Sequence, residues 1–177
     1  MEKINLENIV VEPFSINHIE DVTSIHSQVL DGWSMKGLIG DLANEATESY
    51  VATYEGRAVA FCSFIATEDA ELVFICTHPL CRRQGIAEKL LHNAIIALPK
   101  TVNSIVLEVR SKNDAAINLY KKMGFETLGK RRNFYSFPED DAIVMELIKG
   151  GIMRLNSLLY KHNENAGNDA PSSQQNI

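Results

Sequence analysis

The chain has 177 residues, 45% hydrophobic and 23% charged, enough for one domain with a sizeable core and cramped for two. Its 17 Lys and Arg against 23 Asp and Glu leave a net charge of -6, which argues against a broad basic footprint for direct nucleic-acid binding and suits a basic protein or a cationic amine as partner. No apolar run approaches the ~18 residues of a membrane span, and the start MEKINLENIV lacks the basic and long apolar regions of a signal peptide, so a cytoplasmic protein without a membrane partner is expected.

Ile9 to Val11 is a β-branched run that predicts a first strand. After Pro13 a helix carries Ile19, Val22, Ile25 and Val29 on one side, with Asn17 and Glu20 spaced as a capping box. The pattern breaks at Asp31-Gly32, and Trp33-Ser34 leads into Met35, Leu38, Ile39 and Leu42, a short second helix that Ser34 can cap. Ser49 to Tyr54 and Arg57 to Thr67 flank Glu55-Gly56 as the arms of a hairpin. Leu72 to Thr77 is a nearly continuous apolar run, the pattern of a strand covered on both faces.

After His78-Pro79 comes Arg82-Arg83-Gln84-Gly85, followed by Ile86, Leu90, Leu91, Ala94, Ile95 and Leu98 at helical spacing. A helix therefore starts close to Gly85. Its first N–H groups lack intrahelical partners, and with the helix dipole and two arginines they suit a phosphate. A plain strand-to-helix connection with solvated arginines fits the turn equally well, and no Gly-Lys-Ser/Thr triplet follows to make it a P-loop. The three cysteines, Cys62, Cys76 and Cys81, are an odd number without a secretion signal, so no disulfide framework is expected. Cys76, His78 and Cys81 supply only three ligands, one of them inside the apolar strand, and read as packing residues rather than a metal site.

Asn103 to Arg110 alternates, with Ile105, Leu107 and Val109 on one face and Val106, Glu108 and Arg110 on the other. A second amphipathic helix begins near Asn113, shows Ala116, Leu119, Tyr120 and Met123 on one side and stops at Gly124. Phe125 to Leu128 and Ala142 to Ile148 are the last strands, joined by the basic and aromatic segment KRRNFYSFPEDD. The order strand, two helices, three strands, helix, strand, helix, two strands is that of an α/β domain. Residues 150–160 form a short amphipathic extension, and residues 161–177 are polar enough to predict a disordered tail.

The element order and the turn Arg82-x-x-Gly85-x-Ala87 resemble the GNAT superfamily of acetyl-CoA-dependent N-acetyltransferases. The runs LEVRSKNDAAINLYKKMGF at 107–125, RRNFY at 131–135 and DAIVMEL at 141–147 resemble its bacterial ribosomal-protein-alanine N-acetyltransferases. The resemblance covers residues 9 to about 148 and implies an N-acetyltransferase domain over 1–149. Its fold would be a mixed, mostly antiparallel sheet splayed at the acetyl-CoA site and flanked by helices.

The same resemblance places Ile75, Cys76 and Thr77 along the pantetheine and acetyl arm, and Arg83, Gln84, Gly85, Ile86, Ala87 and Glu88 around the pyrophosphate. Asn113 matches the family asparagine that contacts acetyl-CoA, and on plain reading is a helix cap. Glu108 matches the general base, its alternative being a strand carboxylate paired with Arg110. Tyr120 matches the general acid, its alternative being a core tyrosine. Trp33 and Tyr135 are candidates for the acceptor groove, their alternative being packing in the core or at the rim. Gly32, Phe74 and Phe134 depart from the family pattern where an acceptor would be read, whereas Ala87 in place of a third glycine is a common variant. The implied activity moves acetyl from acetyl-CoA, with no metal, to the N-terminal α-amine of a protein, a basic ribosomal protein with N-terminal alanine. A small-molecule amine as acceptor, or a non-catalytic acetyl-CoA-binding module, are the alternatives.

Overall fold

An amphipathic helix or a half-apolar strand is stable only when its apolar side is covered, and here one sheet is covered on both faces. A computed structural model describes residues 4 to 28 and 35 to 155. In chain order they form β1 (Val10–Pro13), α1 (Ile19–His26), α2 (Met35–Ala43), β2 (Thr47–Tyr54), β3 (Arg57–Ile65), β4 (Asp69–Thr77), α3 (Ile86–Ala97), β5 (Ser104–Arg110), α4 (Asp114–Lys122), β6 (Glu126–Ser136) and β7 (Glu139–Ile148). This is the expected order. Residues 149 to 155 are also helical, with Leu155 buried and Ile152 packed against the core. Val29, Trp33, Ser34, the end of the extension and the expected tail lie outside the described residues.

The strands lie in the order β1-β2-β3-β4-β5-β7-β6, antiparallel throughout except for β4 beside β5. The mixed, mostly antiparallel sheet is therefore as expected. Helices α3 and α4 cover one face, where Ile86, Leu90, Leu91, Ile95 and Tyr120 pack on Ile105, Leu107 and Val109. Helices α1 and α2 cover the other, where Ile19, Val22, Ile25 and Leu38 pack on Val51, Phe61 and Cys76. In the hairpin, Glu55 at φ 50 and Gly56 at φ 76 form the two left-handed positions that a tight β2–β3 connection requires.

Strand β4 departs from the expectation of a strand covered on both faces. Ser63 of β3 pairs with Phe74 but Phe64 pairs with Leu72, so Val73 is an extra residue. Side chains alternate with period two, and one inserted residue exchanges their faces. Ala70 and Leu72 accordingly belong to the α3 side, whereas Phe74 and Cys76 belong to the α1 side. The strand meets β5 only where Asp69, Ala70 and Glu71 pair with Ser104, Ile105 and Val106. Beyond that point the two strands separate, and Val73, Phe74, Ile75 and Thr77 are only half-buried.

The basic and aromatic segment expected to link the last strands is itself mostly strand, since β6 continues to Ser136 and β7 begins at Glu139. Between Arg131↔Ala142 and Tyr135↔Asp140 the register shifts, and Asn133 there takes φ 52. That bulge interrupts the period-two alternation by which strands are read. The start of α1 also differs from expectation: Ser15 N–H donates to His18 Nδ1 at 3.1 Å ahead of a 3-10 turn at Ile16–His18, so Ser15 and His18 replace Asn17 and Glu20 in that role.

Leu90 is fully buried at the centre of the α3 interface. Leu90→Ala should destabilise the protein by about 2 to 5 kcal/mol, seen as a lower urea midpoint with an unchanged slope.

Candidate active site

A cleft of about 840 Å³ opens where β4 and β5 part. Strand β4 lines it with Ile75, Cys76 and Thr77, the following turn with Arg83 and Gly85, and α3 with Ile86, Ala87 and Glu88. From the other side come Glu108 of β5, Asn113 and Tyr120 at the two ends of α4, and Tyr135 of β6. Of the site residues expected from sequence, Gln84 does not line the cleft. Its Oε1 accepts the Ile4 N–H at 2.8 Å, tying the N-terminal segment to the turn, where Lys89 Nζ also donates to the Leu6 and Ile9 carbonyls at 2.7 Å each. Trp33 lies outside the described residues.

The turn into α3 is tight because Arg83 at φ 62 and Gly85 at φ 81 are both left-handed. A Cβ on Gly85 would also come within 3.2 Å of Leu6 Cδ1, so both backbone and space favour glycine there. No side chain caps the 12-residue helix that follows, leaving its first N–H groups to be satisfied from the cleft side. Arg82 Nε donates to the Thr77 carbonyl at 3.1 Å, and Lys122 Nζ donates to Glu88 Oε2 at 2.8 Å, joining α4 to α3.

Asn113 is both cap and cleft residue: its Oδ1 accepts the Ala116 N–H at 3.2 Å, which leaves its amide nitrogen for another partner. The loop before it is held by Asp140 of β7, whose carboxylate accepts Ser111 Oγ at 2.7 Å and the Lys112 N–H at 3.3 Å.

Glu108 and Tyr120 reach the cleft from opposite faces of the sheet. Ile105, Leu107 and Val109 point into the α3 and α4 core that contains Tyr120, so Glu108 points the other way. Its carboxylate forms an ion pair with Arg131 of β6. Two residues along, Arg110 donates to the Pro138 and Phe137 carbonyls at 2.8 and 3.1 Å and lies over the Tyr135 ring, 4.1 Å from its centroid. The Tyr135 hydroxyl donates to the Glu108 backbone carbonyl at 3.4 Å. Tyr120 is 5% exposed, and burial holds its hydroxyl well above the ordinary tyrosine range, so the phenol is protonated at neutral pH. Burial also pushes the Cys76 thiol up to about 12, so this cleft cysteine supplies no thiolate near neutrality.

Among the described residues, no three His, Cys, Asp or Glu side chains are grouped to hold a metal ion, and no helix is long and apolar enough to cross a membrane. Gln28 and Leu119 line the cleft without having been expected there. The helical spacing of α4 could have placed Leu119 beside Tyr120. Nothing local could have paired Glu108 with Arg131.

A sheet parted between two parallel strands, with a basic uncapped helix start on one side and a carboxylate and a buried phenol converging from the other, defines an acyl-transferring fold. The chain belongs to the acetyltransferase (GNAT) family, whose model matches residues 7–125, and it is the N-acetyltransferase that its motifs imply. A [ribosomal protein bS18]-alanine N-acetyltransferase from Escherichia coli strain K12 is 35% identical over 119 residues, 65% of this chain and 80% of that protein. The crystal structure of the ribosomal-protein-S18-alanine N-acetyltransferase from Escherichia coli matches with a TM-score of 0.72 at 30% identity, covering 79% of this chain and 93% of the other. Ard1 from Thermoplasma volcanium matches with a TM-score of 0.71 at 25% identity, covering 80% and 97%. Arabidopsis thaliana NAA60, crystallised with acetyl-CoA, shares the fold alone, at 16% identity and a TM-score of 0.69 over 80% of this chain and 99% of that one.

One buried group behind the cleft makes stability depend on pH. His26 is stacked on Phe74, centroids 4.2 Å apart, and burial lowers its pKa to about 4. Between about 4 and 6.5 the unfolded chain therefore binds a proton that the folded chain refuses, so this contribution to stability grows as pH rises and is complete above the unfolded value. Urea melts should show wild type losing more stability than His26→Leu from about pH 7 to about pH 5, by up to about 1.4 kcal/mol per pH unit within the window.

Proposed function

We propose that this enzyme transfers acetyl from acetyl-CoA to the N-terminal α-amine of a polypeptide, an alanine-starting ribosomal protein, in the cytoplasm. The convergence of Glu108 and Tyr120 on one cleft carries this reading, and the names of the Escherichia coli relatives support the choice of acceptor. The catalytic domain is residues 1–149, with the helical segment after it packed against the core.

The residues present fit acetyl-CoA. Past Glu71, β4 has no β5 partner, so the backbone of Ile75, Cys76 and Thr77 can hydrogen-bond the amides of a pantetheine arm. The start of α3, with Arg83, Gly85, Ile86, Ala87 and Glu88 around it, receives the pyrophosphate through backbone N–H groups. Gln84 acts one step back, by anchoring Ile4 to the turn. Asn113 offers its amide nitrogen from across the cleft. Bound acetyl-CoA supplies the acetyl group as a thioester.

Glu108 takes a proton from the acceptor amine, directly or through a water, because only a neutral amine can attack a carbonyl carbon. As the new C–N bond forms and the C–S bond breaks, the nitrogen releases its second proton to solvent and the sulfur leaves carrying negative charge. Tyr120 answers that charge as a hydrogen-bond donor. Its raised pKa favours hydrogen bonding to the sulfur over full proton transfer, since a thiol of pKa ~8.5 is the stronger acid. An α-amine of pKa ~7.7 to 8.0 is roughly 10 to 15% neutral at pH 7, against ~0.04% for a lysine, so this apparatus suits an N-terminus better. Tyr135, at the rim, is the proposed acceptor contact together with Trp33.

Acetyl-CoA turnover against a panel of N-terminal peptides, polyamines and amino sugars tests the reading; a preference for either class of small amine would overturn the acceptor. Glu108→Gln should lower kcat/KM for the preferred peptide by about 10²- to 10⁴-fold, less so at about pH 9, where the amine arrives already neutral. Tyr120→Phe should lower kcat by about 10²- to 10³-fold and leave the KM for acetyl-CoA within about twofold. Native rates in both variants would remove these assignments.

A further inference from the structure

The carboxylate assigned to proton abstraction already has a cation on it. Arg131 Nη1 contacts Glu108 Oε1, yet the two side chains remain 58% and 23% exposed, so the pair sits where an incoming molecule can reach it. Sheet register explains the contact. Glu108 lies opposite Val144 and Val144 opposite Gly129, so the row holding Glu108 has no side chain on β6. The next row is Arg110, Ala142 and Arg131, and residues paired in register share a face. Arg131 therefore reaches Glu108 diagonally, over one alanine and past a glycine.

The strand carrying Arg131 is anchored independently of that contact. Asp141 accepts the Asn133 N–H at 2.8 Å and pairs with Lys130 Nζ at 2.6 Å, fixing the β6 bulge to β7. The Phe134 ring lies 4.4 Å from the guanidinium carbon, a second seat for the same cation. The guanidinium can thus leave Glu108 without the hairpin coming apart.

We propose that Arg131 is a displaceable counter-ion, which holds the Glu108 carboxylate until the acceptor's N-terminal ammonium takes its place. The proposal rests on the reading of Glu108 as the proton acceptor. At neutral pH most of an α-amine arrives as ammonium, with the same charge as the guanidinium it replaces. Binding then exchanges one ion pair for another, and Arg131 falls back on Phe134. A neutral ligand cannot make the exchange, because it leaves Arg131 where it is and the carboxylate taken. Arg131 is in this way a specificity-determining residue that selects cationic acceptors and sets how tightly they bind.

Salt distinguishes an exchange from a new contact. Replacing one ion pair by another is nearly indifferent to ionic strength, whereas forming one afresh weakens as salt rises. Steady-state kinetics of the full chain with an alanine-starting peptide should show a wild-type acceptor KM that is flat from about 50 to about 500 mM salt. Arg131→Gln should lower that KM about threefold to tenfold at low salt, make it rise as salt is added, and leave the KM for acetyl-CoA unchanged, which also shows the site intact. Arg131→Lys, which keeps the charge, should restore the wild-type pattern. An Arg131→Gln acceptor KM that is unchanged or higher, or that responds to salt as wild type does, overturns the counter-ion role alone. A wild-type enzyme that acetylates no N-terminal peptide overturns the underlying reading, and this proposal with it.

Discussion

Backbone polar groups must find partners wherever they are buried, and the way β4 meets that demand shapes the rest of the molecule. Toward β3 it pairs from Glu71 to Thr77. Toward β5 it pairs over three residues and then parts from its neighbour. From Leu72 onward one edge of a central strand, rather than of an outer one, is left for something other than the protein. Such an edge is tolerable only if solvent or a ligand reaches it, and the cleft provides the access. The extra residue at Val73 falls at the same place, so the strand exchanges the faces of its side chains just where it loses its neighbour.

The parted strands also make the sheet permeable at one point. Elsewhere the two cores are separated by a continuous layer, with α3 and α4 on one side and α1 and α2 on the other. At the gap, a phenol belonging to one core and a carboxylate belonging to the opposite face line a single cavity. Their environments differ accordingly. Tyr120 is buried and held protonated, whereas Glu108 keeps partial exposure and a cation within reach. A site proposed to hold a thioester from one side and receive an amine from the other needs that asymmetry.

Acidic side chains carry much of the support around this opening, which puts the net negative charge to local use. Asp140 and Asp141, adjacent on β7, point their carboxylates to opposite tasks. One secures the loop before Asn113 and the other secures the β6 bulge beside Arg131. Hydrogen bonding to Ser111 and Lys130 respectively holds both carboxyls below the usual aspartate range. Two elements on the β5 side of the cleft are thus braced from a single strand, and Lys130 and Arg131 of β6 are each set against a carboxylate.

The order of elements, the apolar faces of α3 and α4, the alternation of β5 and the helix start near Gly85 were legible in the residues themselves, whereas Glu108 and Tyr120 were singled out only by the family resemblance of the run 107–125. Each is encoded in spacing or motif over fewer than about twenty residues, and the physics of helix and strand period acts at that range. The tertiary structure decided four matters: that β4 is open rather than covered, that the linking segment belongs to β6, that Gln84 serves the N-terminal segment, and that Glu108 meets Arg131. All four depend on which residues of distant segments end up opposite one another. A single bulge can shift that register, as Val73 does, and leave the local pattern of apolar residues almost unchanged.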